Sequence, residues 1–167
     1  MTTRSLSLRE IPRAGDERQV ERVLASTGFF RDEEIEVGVE VVHDGRARGL
    51  ESGYRFLFAD ASDDGRDLAG FTCYGNIACT VGSYDLYWIA VDAARRGHGI
   101  GRWLLSETEL RIRALGGRRV YAETSGSAQY DPTHLFYERS GYSLVAKIPD
   151  FYRVGDPKWI YAKVLMR

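Results

Sequence analysis

The sequence predicts an α+β domain with a mixed central sheet of about seven strands and about four flanking helices. Two patterns predict this fold: a pair of apolar runs joined by a polar turn, and a strand–helix–strand succession that follows it. The first pattern is typical of an antiparallel hairpin and the second of a parallel crossover, so the sheet has to be mixed. No repeat or linker interrupts the 167 residues, and we expect one continuous domain over residues 1–167.

The N-terminal part is predicted to contain one strand and two helices. Residues 6–11 alternate between apolar and polar types, which indicates a strand. Asp16 has the type and position of an N-cap for the first helix, which Gly28 ends. The second helix is expected to begin near Asp32, because acidic residues favour the positive end of a helix, and to stop at Gly45.

The central part is predicted to form three strands and a long helix. Residues 54–59 and 68–74 are the apolar runs of the hairpin. Residues 84–91 are apolar at nearly every position, which predicts a strand covered on both faces. The helix that follows stops at Gly116. Its predicted buried face is Leu104, Leu105, Thr108, Ile112 and Leu115, and its predicted outer pairs are Glu107/Arg111 and Glu109/Arg113.

The C-terminal part is predicted to add three strands and a short helix. Residues 119–124 form the strand that completes the parallel crossover. Asp131 is expected to be the N-cap of the short helix, with Pro132 at the first helical position. This helix ends at Gly141, and two closing strands follow near residues 142–148 and 159–165.

The composition gives no general reason to expect binding to nucleic acid or to a membrane. The formal net charge is −1, so no global positive field attracts polyanions. Neither Cys73 nor Cys79 belongs to a metal-ligand pattern, and no metal site is predicted. No apolar run approaches the roughly 20 residues that span a bilayer, and the first ten residues lack a signal-peptide core. We therefore expect a cytoplasmic protein.

A glycine-rich stretch over residues 91–102 has the composition of an anion-binding turn. Its glycines are Gly97, Gly99 and Gly101, and its arginines are Arg95, Arg96 and Arg102. The stretch leaves a strand and enters a helix, so backbone amides and the helix N-terminus can approach a phosphate group. The glycine spacing is neither that of a Rossmann dinucleotide site nor that of a P-loop. A different pyrophosphate is the predicted ligand.

The segment Arg96-Gly-His-Gly99-Ile-Gly101 resembles the R/Q-x-x-G-x-G/A motif by which GNAT acetyltransferases hold the pyrophosphate of coenzyme A. Residues 85–91 resemble the strand that precedes this motif, and residues 135–142 resemble the family's L-Y-x-x-x-G-F segment. The similarity in element order covers nearly the whole chain. One departure is Tyr130, which stands where many relatives carry Asn.

The resemblance implies an N-acetyltransferase that moves the acetyl group of acetyl-CoA to a primary amine by direct attack in a ternary complex. It also implies a slot for pantetheine between two splayed parallel strands, with the backbone of Ile89 and Val91 bonded to the pantetheine amides. The residues implied for the pyrophosphate are Arg96, Gly97, His98, Gly99, Ile100, Gly101 and Arg102.

Two catalytic residues are implied by the same resemblance. Tyr137 matches the family tyrosine that acts as the general acid, although its pattern alone also suits an aromatic core residue. Asp85 lies six residues before Val91, where many relatives have a glutamate that deprotonates the amine. Glu123 or a water molecule is the alternative base, and a purely structural carboxylate is the alternative for Asp85.

The acceptor is predicted from residues 148–159, which are expected to join the last two strands beside the acceptor channel. Asp150 and Asp156 stand there among aromatic residues, which suits a cationic amine such as a lysine side chain or a polyamine. Arg153 opposes this hypothesis, and a plain turn is the alternative. A non-catalytic acyl-CoA sensor, a structural partner domain, other acyl-CoA donors and a homodimer stay open at this point.

Overall fold

The structure, a computed structural model, describes residues 6–62 and 66–166. In this part of the chain the helices are α1 (Asp16–Thr27), α2 (Asp32–Arg48), α3 (Ile100–Ala114) and α4 (Asp131–Arg139). The strands are β1 (Ser7–Arg9), β2 (Arg55–Asp60), β3 (Leu68–Asn76), β4 (Ser83–Val91), β5 (Arg119–Ser125), β6 (Ser143–Arg153) and β7 (Asp156–Val164). The tip of the predicted hairpin, residues 63–65, lies outside the described residues.

The strands form a seven-stranded sheet in the order β1-β2-β3-β4-β5-β7-β6. Strands β1, β2 and β3 pair antiparallel, as do β5, β7 and β6. Strands β4 and β5 pair parallel. The predicted mixed sheet, the β2–β3 hairpin and the parallel crossover through α3 are therefore confirmed.

Two compact units contribute to this sheet. The first contains the chain up to Gly75 together with Trp88–Thr108, and the second contains Asn76–Tyr87 together with the chain from Glu109 onward. The boundary runs through β4 and α3, so each of these elements belongs to both units. The single domain expected from the sequence stays a prediction.

The first unit has an apolar core under α1 and α2. It consists of buried residues from both helices and from β2, β3 and β4, namely Val20, Val23, Leu24, Val42, Phe56, Phe58, Leu68, Phe71, Cys73 and Ala90. The prediction that α2 stops at Gly45 is wrong, because the helix continues to Arg48. Gly45 is buried against the ring of Phe56, where any side chain would collide with that ring. This glycine allows close packing and does not end the helix.

Asp16 is not the N-cap that the sequence predicted. Gly15 occupies the N-cap position in a left-handed conformation, with φ of 96°, and Asp16 is the first helical residue. The buried Asp16 carboxylate accepts hydrogen bonds from the Arg9 guanidinium at 2.8 and 2.9 Å. Arg9 also donates to Asp60 at 2.9 Å, so the side chain of Asp16 serves a buried ion-pair cluster.

The second unit differs from the sequence prediction at three places. Glu109 is buried and binds Lys163 of β7 at 2.7 Å, so the outer pair with Arg113 is wrong. Leu115 is 44% exposed beyond the end of α3, where the turn to β5 carries it out of the buried face. Asp131 is the first residue of α4, and Tyr130 occupies the N-cap position.

Strand β4 is less covered than its apolar sequence predicts. Tyr84 and Leu86 are buried, whereas Tyr87 is 42% exposed and Asp85 is half-buried. A Cβ on Gly117 would touch the ring of Tyr84, which places the turn after α3 on that face of the strand. Asp85 and Tyr87 alternate with these buried residues and therefore face the opposite side of the sheet, so the polar residue Asp85 lies on the less covered side.

Candidate active site

The glycine-rich turn between β4 and α3 has the backbone conformation that an anion site requires. Gly97 and Gly99 have φ of 80° and 79°, in the left-handed region that favours glycine. Apart from the glycine itself and its two chain neighbours, none of the described residues has an atom within 4 Å of the position that a Cβ would occupy on either glycine. The Trp103 amide bonds back to the Gly99 carbonyl at 3.0 Å, so the helical ladder begins here. The earlier amides of the first turn, including that of Gly101, are available to an acceptor.

The arginines of this turn are held by their own unit to different degrees. Arg95 pairs with Asp67 at 2.7 Å. Arg96 donates to the Thr27 carbonyl at 3.0 Å, and its guanidinium lies 5.1 Å from the centre of the Phe29 ring. The Arg96 contacts fix the turn to the end of α1, and the Arg95 ion pair fixes it to the segment before β3. Both arginines therefore have structural roles that the motif did not reveal. Arg102 is exposed.

Asp92 stabilises the start of the turn. Its carboxylate accepts from the Ala94 amide at 2.9 Å and forms an ion pair with Arg22 of α1. Burial opposes ionisation of Asp92, but the hydrogen bonds from Ala94 and Arg22 outweigh burial and lower its pKa. Ser26 accepts from the Ala93 amide at 3.1 Å, which ties α1 to the same turn. The turn is therefore fixed by α1 before any ligand binds.

His98 lies at the exposed surface of the turn. Its Nδ1 is 2.9 Å from the Arg96 carbonyl oxygen and 3.3 Å from that of Arg95. Ile100, by contrast, is buried where α3 begins. A role of the His98 and Ile100 side chains in binding a ligand stays a prediction, while their backbone amides belong to the turn.

The predicted base, Asp85, stands next to a second carboxylate in the second unit. Asp85 pairs in register with Tyr121, and Glu123 follows two positions later, on the same face of the sheet. Burial and the charge of Glu123 raise the pKa of Asp85, while Lys158 opposes this shift. Lys158 forms an ion pair with Glu123 at 2.5 Å. Both carboxylates considered from the sequence thus belong to one cluster.

The pairing between β4 and β5 is short. It comprises the residues from Ser83–Arg119 to Leu86–Ala122, whereas β4 itself continues to Val91. The slot between two splayed parallel strands that the family resemblance implied stays a prediction. The backbone of Ile89 and Val91 lies in the part of β4 beyond this ladder.

Tyr137 is a buried residue of α4, only 4% exposed. Its ring lies 5.4 Å from that of Tyr142 and 5.6 Å from that of Tyr161, measured between centroids. Burial raises the pKa of the Tyr137 phenol well above its ordinary value, so the hydroxyl stays protonated at any physiological pH. Tyr137 is therefore an aromatic core residue with a protonated hydroxyl, and its role as the general acid stays a prediction.

His134 connects α4 to β5 and β7, a role that the sequence did not reveal. Its ring stacks on Trp159 at 4.4 Å between centroids, and its Nε2 lies 2.8 Å from the Ser125 carbonyl oxygen. The periodicity of a short helix cannot distinguish such a contact from a catalytic one. His134 orients the helix that carries Tyr137.

The predicted acceptor segment is mostly strand. Residues 148–153 belong to β6 and residues 156–159 to β7, with Val154 and Gly155 between them. Asp150 has a φ of 52° and accepts from the Gly155 amide at 2.7 Å. Asp156 accepts from Ser125 and lies 3.6 Å from Arg153. Both carboxylates are engaged within the protein.

The aromatic rings of this hairpin are also engaged. Lys158 Nζ lies 3.8 Å from the centre of the Phe151 ring, and Lys147 Nζ lies 4.1 Å from the centre of the Trp159 ring. The chain's own lysines thus occupy the cation–π positions that were predicted for the acceptor. Packing of the two long strands gives the physical reason, because it places lysine and aromatic side chains next to each other.

Within residues 6–62 and 66–166, no cluster of three or more histidine, cysteine or acidic residues is arranged to hold a metal ion. Across that same portion of the chain, the structure has no helix with both the length and the apolarity to cross a membrane.

The chain matches the family described as acetyltransferase (GNAT) domain over residues 52–144. A crystal structure of a protein assigned to the GNAT family from Desulfovibrio desulfuricans is 45% identical, with a TM-score of 0.92. This match covers 96% of the present chain and 99% of that chain. The chain therefore belongs to the GNAT acetyltransferase family. It is an acyltransferase of the class that uses acetyl-CoA as the co-substrate.

More distant neighbours share the fold but act on different acceptors. An aminoglycoside 6'-N-acetyltransferase in complex with coenzyme A has a TM-score of 0.73 at 19% identity, covering 96% of this chain and 98% of its own. The ribosomal-protein-S18-alanine N-acetyltransferase from Escherichia coli has a TM-score of 0.72 at 16% identity, covering 98% and 96%. None of the curated proteins compared with the chain matches it in sequence. The fold alone does not determine the acceptor.

The family and its neighbours are acetyltransferases, so the non-catalytic sensor and the structural partner domain are not favoured.

Replacing Gly99 with Val is expected to weaken acetyl-CoA binding by about 10- to 100-fold. Losing one hydrogen bond to a charged group costs about 1.5–3 kcal/mol, and the new side chain would stand where the pyrophosphate has to approach. Gly53→Val is the matched control, because Gly53 has φ of 81° and equally open surroundings away from the turn. Calorimetric titration with acetyl-CoA measures both. Equal affinities for the two variants would contradict the assignment of the turn.

Proposed function

We propose that this enzyme transfers an acetyl group from acetyl-CoA to a primary amine on a cationic acceptor, such as a lysine side chain or a polyamine. Binding of acetyl-CoA is supported by the turn after β4, where Gly97 and Gly99 have positive φ and open surroundings at the N-terminus of α3. The preference for a cationic amine acceptor is supported by the carboxylate pair Asp85 and Glu123.

The donor is proposed to bind through backbone groups in two places. Amides from Gly97 to Gly101 would bind the pyrophosphate, and the exposed Arg102 would add charge. The backbone of Ile89 and Val91 would bond to the pantetheine amides, because β4 extends past its ladder with β5. A backbone amide directed at the thioester oxygen would polarise the carbonyl.

The reaction is proposed to proceed by direct attack in a ternary complex. The neutral amine nitrogen forms a bond to the thioester carbon, and the carbon–sulfur bond then breaks. Tyr137 gives its phenolic proton to the departing thiolate, which leaves as free thiol. Before the attack, a base removes one proton of the acceptor ammonium, and the nitrogen loses its second proton to solvent as the amide forms. Tyr137 regains a proton from solvent. The raised pKa of Tyr137 keeps the donor form fully populated before each turnover.

Asp85 is proposed as the base that deprotonates the amine, directly or through water. Its half-buried position and the neighbouring Glu123 raise its pKa, which makes it a stronger base than an ordinary aspartate. Glu123 forms an ion pair with Lys158, so its carboxylate is less available to accept a proton. These contacts support Asp85 over Glu123 as the proposed base.

The same cluster favours a positively charged acceptor. Asp85 and Glu123 bring two negative charges and Lys158 brings one positive charge, so ionised side chains leave a net negative charge. An ammonium group is attracted to such a site and then loses its proton to the base. Asp85 and Glu123 therefore replace Asp150 and Asp156 as the proposed acceptor-binding carboxylates. Cytoplasmic location and a homodimeric state, both expected from the sequence, stay predictions.

Tyr137→Phe is expected to lower kcat by about 10- to 1,000-fold with little change in acetyl-CoA affinity, because it removes a donor and keeps the ring. Tyr161→Phe is the control, since Tyr161 is equally buried in the same aromatic cluster. Steady-state kinetics and calorimetry on both variants make the comparison. A kcat for Tyr137→Phe equal to that of Tyr161→Phe would leave Tyr137 with a packing role alone.

The pH dependence of kcat follows from the direction of the Asp85 shift. A base works when deprotonated, so the acid limb should lie above the ordinary aspartate value of about 3.9. Asp85→Asn should remove this limb, with the largest loss of rate between the pKa of Asp85 and that of the amine. Glu123→Gln should instead move the limb to lower pH, because it removes a charge that raises the Asp85 pKa. If Glu123→Gln abolishes the limb, the base is Glu123.

A further inference from the structure

The helix that carries Tyr137 ends in a tight turn at Gly141. The Ser140 and Tyr142 amides both donate to the Tyr137 carbonyl, each at 3.0 Å. Gly141 has φ of 87°, which lets the chain reverse at this point. The last carbonyls of a helix have no partner within it, and the helix places partial negative charge there. The Ser140 carbonyl is such a group.

Lys163 of β7 places its ammonium group against this turn. Nζ donates to the Ser140 carbonyl at 2.9 Å and to Glu109 Oε2 at 2.7 Å. An ideal Cβ on Gly141 would lie 3.5 Å from Lys163 Cε, so the lysine stem packs along the turn. One ammonium group therefore joins the end of α4 to α3 and β7, all within the second unit.

This contact involves a carboxylate that is expensive to bury alone. Glu109 is 6% exposed, and the Lys163 side chain is 24% exposed. Among the described residues, Glu109 Oε1 and the Tyr142 hydroxyl are buried without a hydrogen-bond partner. Lys163 is thus the neutralising charge for Glu109, and breaking such a pair by removing one partner is strongly destabilising.

We propose that Lys163 is a positioning residue for Tyr137: it fixes the C-terminal turn of α4 through the Ser140 carbonyl, with Glu109 holding the ammonium in place. The inference rests on the proposed function of Tyr137 as the proton donor. The Tyr137 carbonyl accepts the two amides of this turn, so the turn and the phenol share one short segment of helix. A shift of the turn displaces the hydroxyl from the leaving sulfur.

Lys163→Met is the first test, with acetyl-CoA and spermidine as substrates. We expect kcat to fall by about 10- to 100-fold while the KM for acetyl-CoA stays within about twofold, because a displacement of about 1 Å can have this effect on rate. Arg119→Met is the matched control, since Arg119 is exposed on β5. An unchanged kcat in the Lys163 variant, or an equal loss in the control, overturns the inference.

A double variant separates positioning from charge neutralisation. Glu109→Leu with Lys163→Met removes both buried charges, and we expect the melting temperature to return toward that of the wild type. If Lys163 acts through Ser140, kcat stays low in this well-folded protein. If kcat returns to the wild-type value, Lys163 only neutralises Glu109 and the inference is wrong.

A double-mutant cycle with Tyr137→Phe identifies the residue through which Lys163 acts. In the Tyr137→Phe background, Lys163→Met is expected to lower kcat by less than about twofold, since the donor is already absent. A full additional loss overturns the inference. If Tyr137→Phe alone keeps the wild-type kcat, the proposed acid has failed instead.

Hydrogen exchange then tests, without reference to catalysis, whether Lys163 holds the C-terminal turn of α4 in place. Exchange at the Ser140, Gly141 and Tyr142 amides should be faster in Lys163→Met and unchanged in Arg119→Met. Unchanged exchange in the Lys163 variant would mean that Lys163 does not hold this turn, which contradicts the inference.

Discussion

The left-handed backbone of the turn between β4 and α3 is the constraint on which the donor site depends. Gly97 and Gly99 carry the chain from strand to helix with φ near 80°, a conformation that residues with side chains rarely adopt. The amides at the start of α3 can then face an anion, because Gly97 and Gly99 bring no side chain of their own to the turn. Two neighbouring residues stabilise this conformation. The Asp92 carboxylate accepts a hydrogen bond from the Ala94 amide, and Arg22 of α1 forms an ion pair with Asp92.

In the second unit, burial raises the pKa of two groups, Asp85 and Tyr137, for which we propose opposite roles. Tyr137 is surrounded by aromatic rings, and its raised pKa keeps a proton available for a leaving thiolate. Asp85 is half-buried beside Glu123, and its raised pKa makes it a better proton acceptor while it is ionised. Desolvation acts in the same direction on both groups, but it preserves a donor in one case and strengthens a base in the other.

The fold and the donor turn could be predicted because their signals are local. Strand alternation, the polar hairpin turn and the spacing from Arg96 to Gly101 are written in consecutive residues, and the observed β2–β3 hairpin and parallel crossover agree with them. The misplaced boundaries have a common cause. Gly45 and Asp16 have residue types that usually end or begin a helix, but packing against Phe56 and pairing with Arg9 determine their roles.

The acceptor surface and the Glu109–Lys163 pair could not be predicted for the same reason. Glu109 looks like an outer residue of an amphipathic helix, and its partner is 54 residues later in the chain. The hairpin after β6 was expected to present free carboxylates and rings. Its strands instead extend through most of the segment, and they bring Lys147 and Lys158 onto those rings. The register of β6 with β7 places Lys147 opposite Trp159, a contact that the residue types of the segment alone do not indicate.

The most direct measurement is acetyl-CoA-dependent release of free thiol against a panel of amines matched in size and differing in charge. The account predicts release with primary amines, with kcat/KM highest for acceptors that carry a further positive charge and lowest for anionic ones. It also predicts that the preference weakens as salt screens the carboxylates of Asp85 and Glu123. Equal kcat/KM for cationic, neutral and anionic amines, independent of salt, would contradict it.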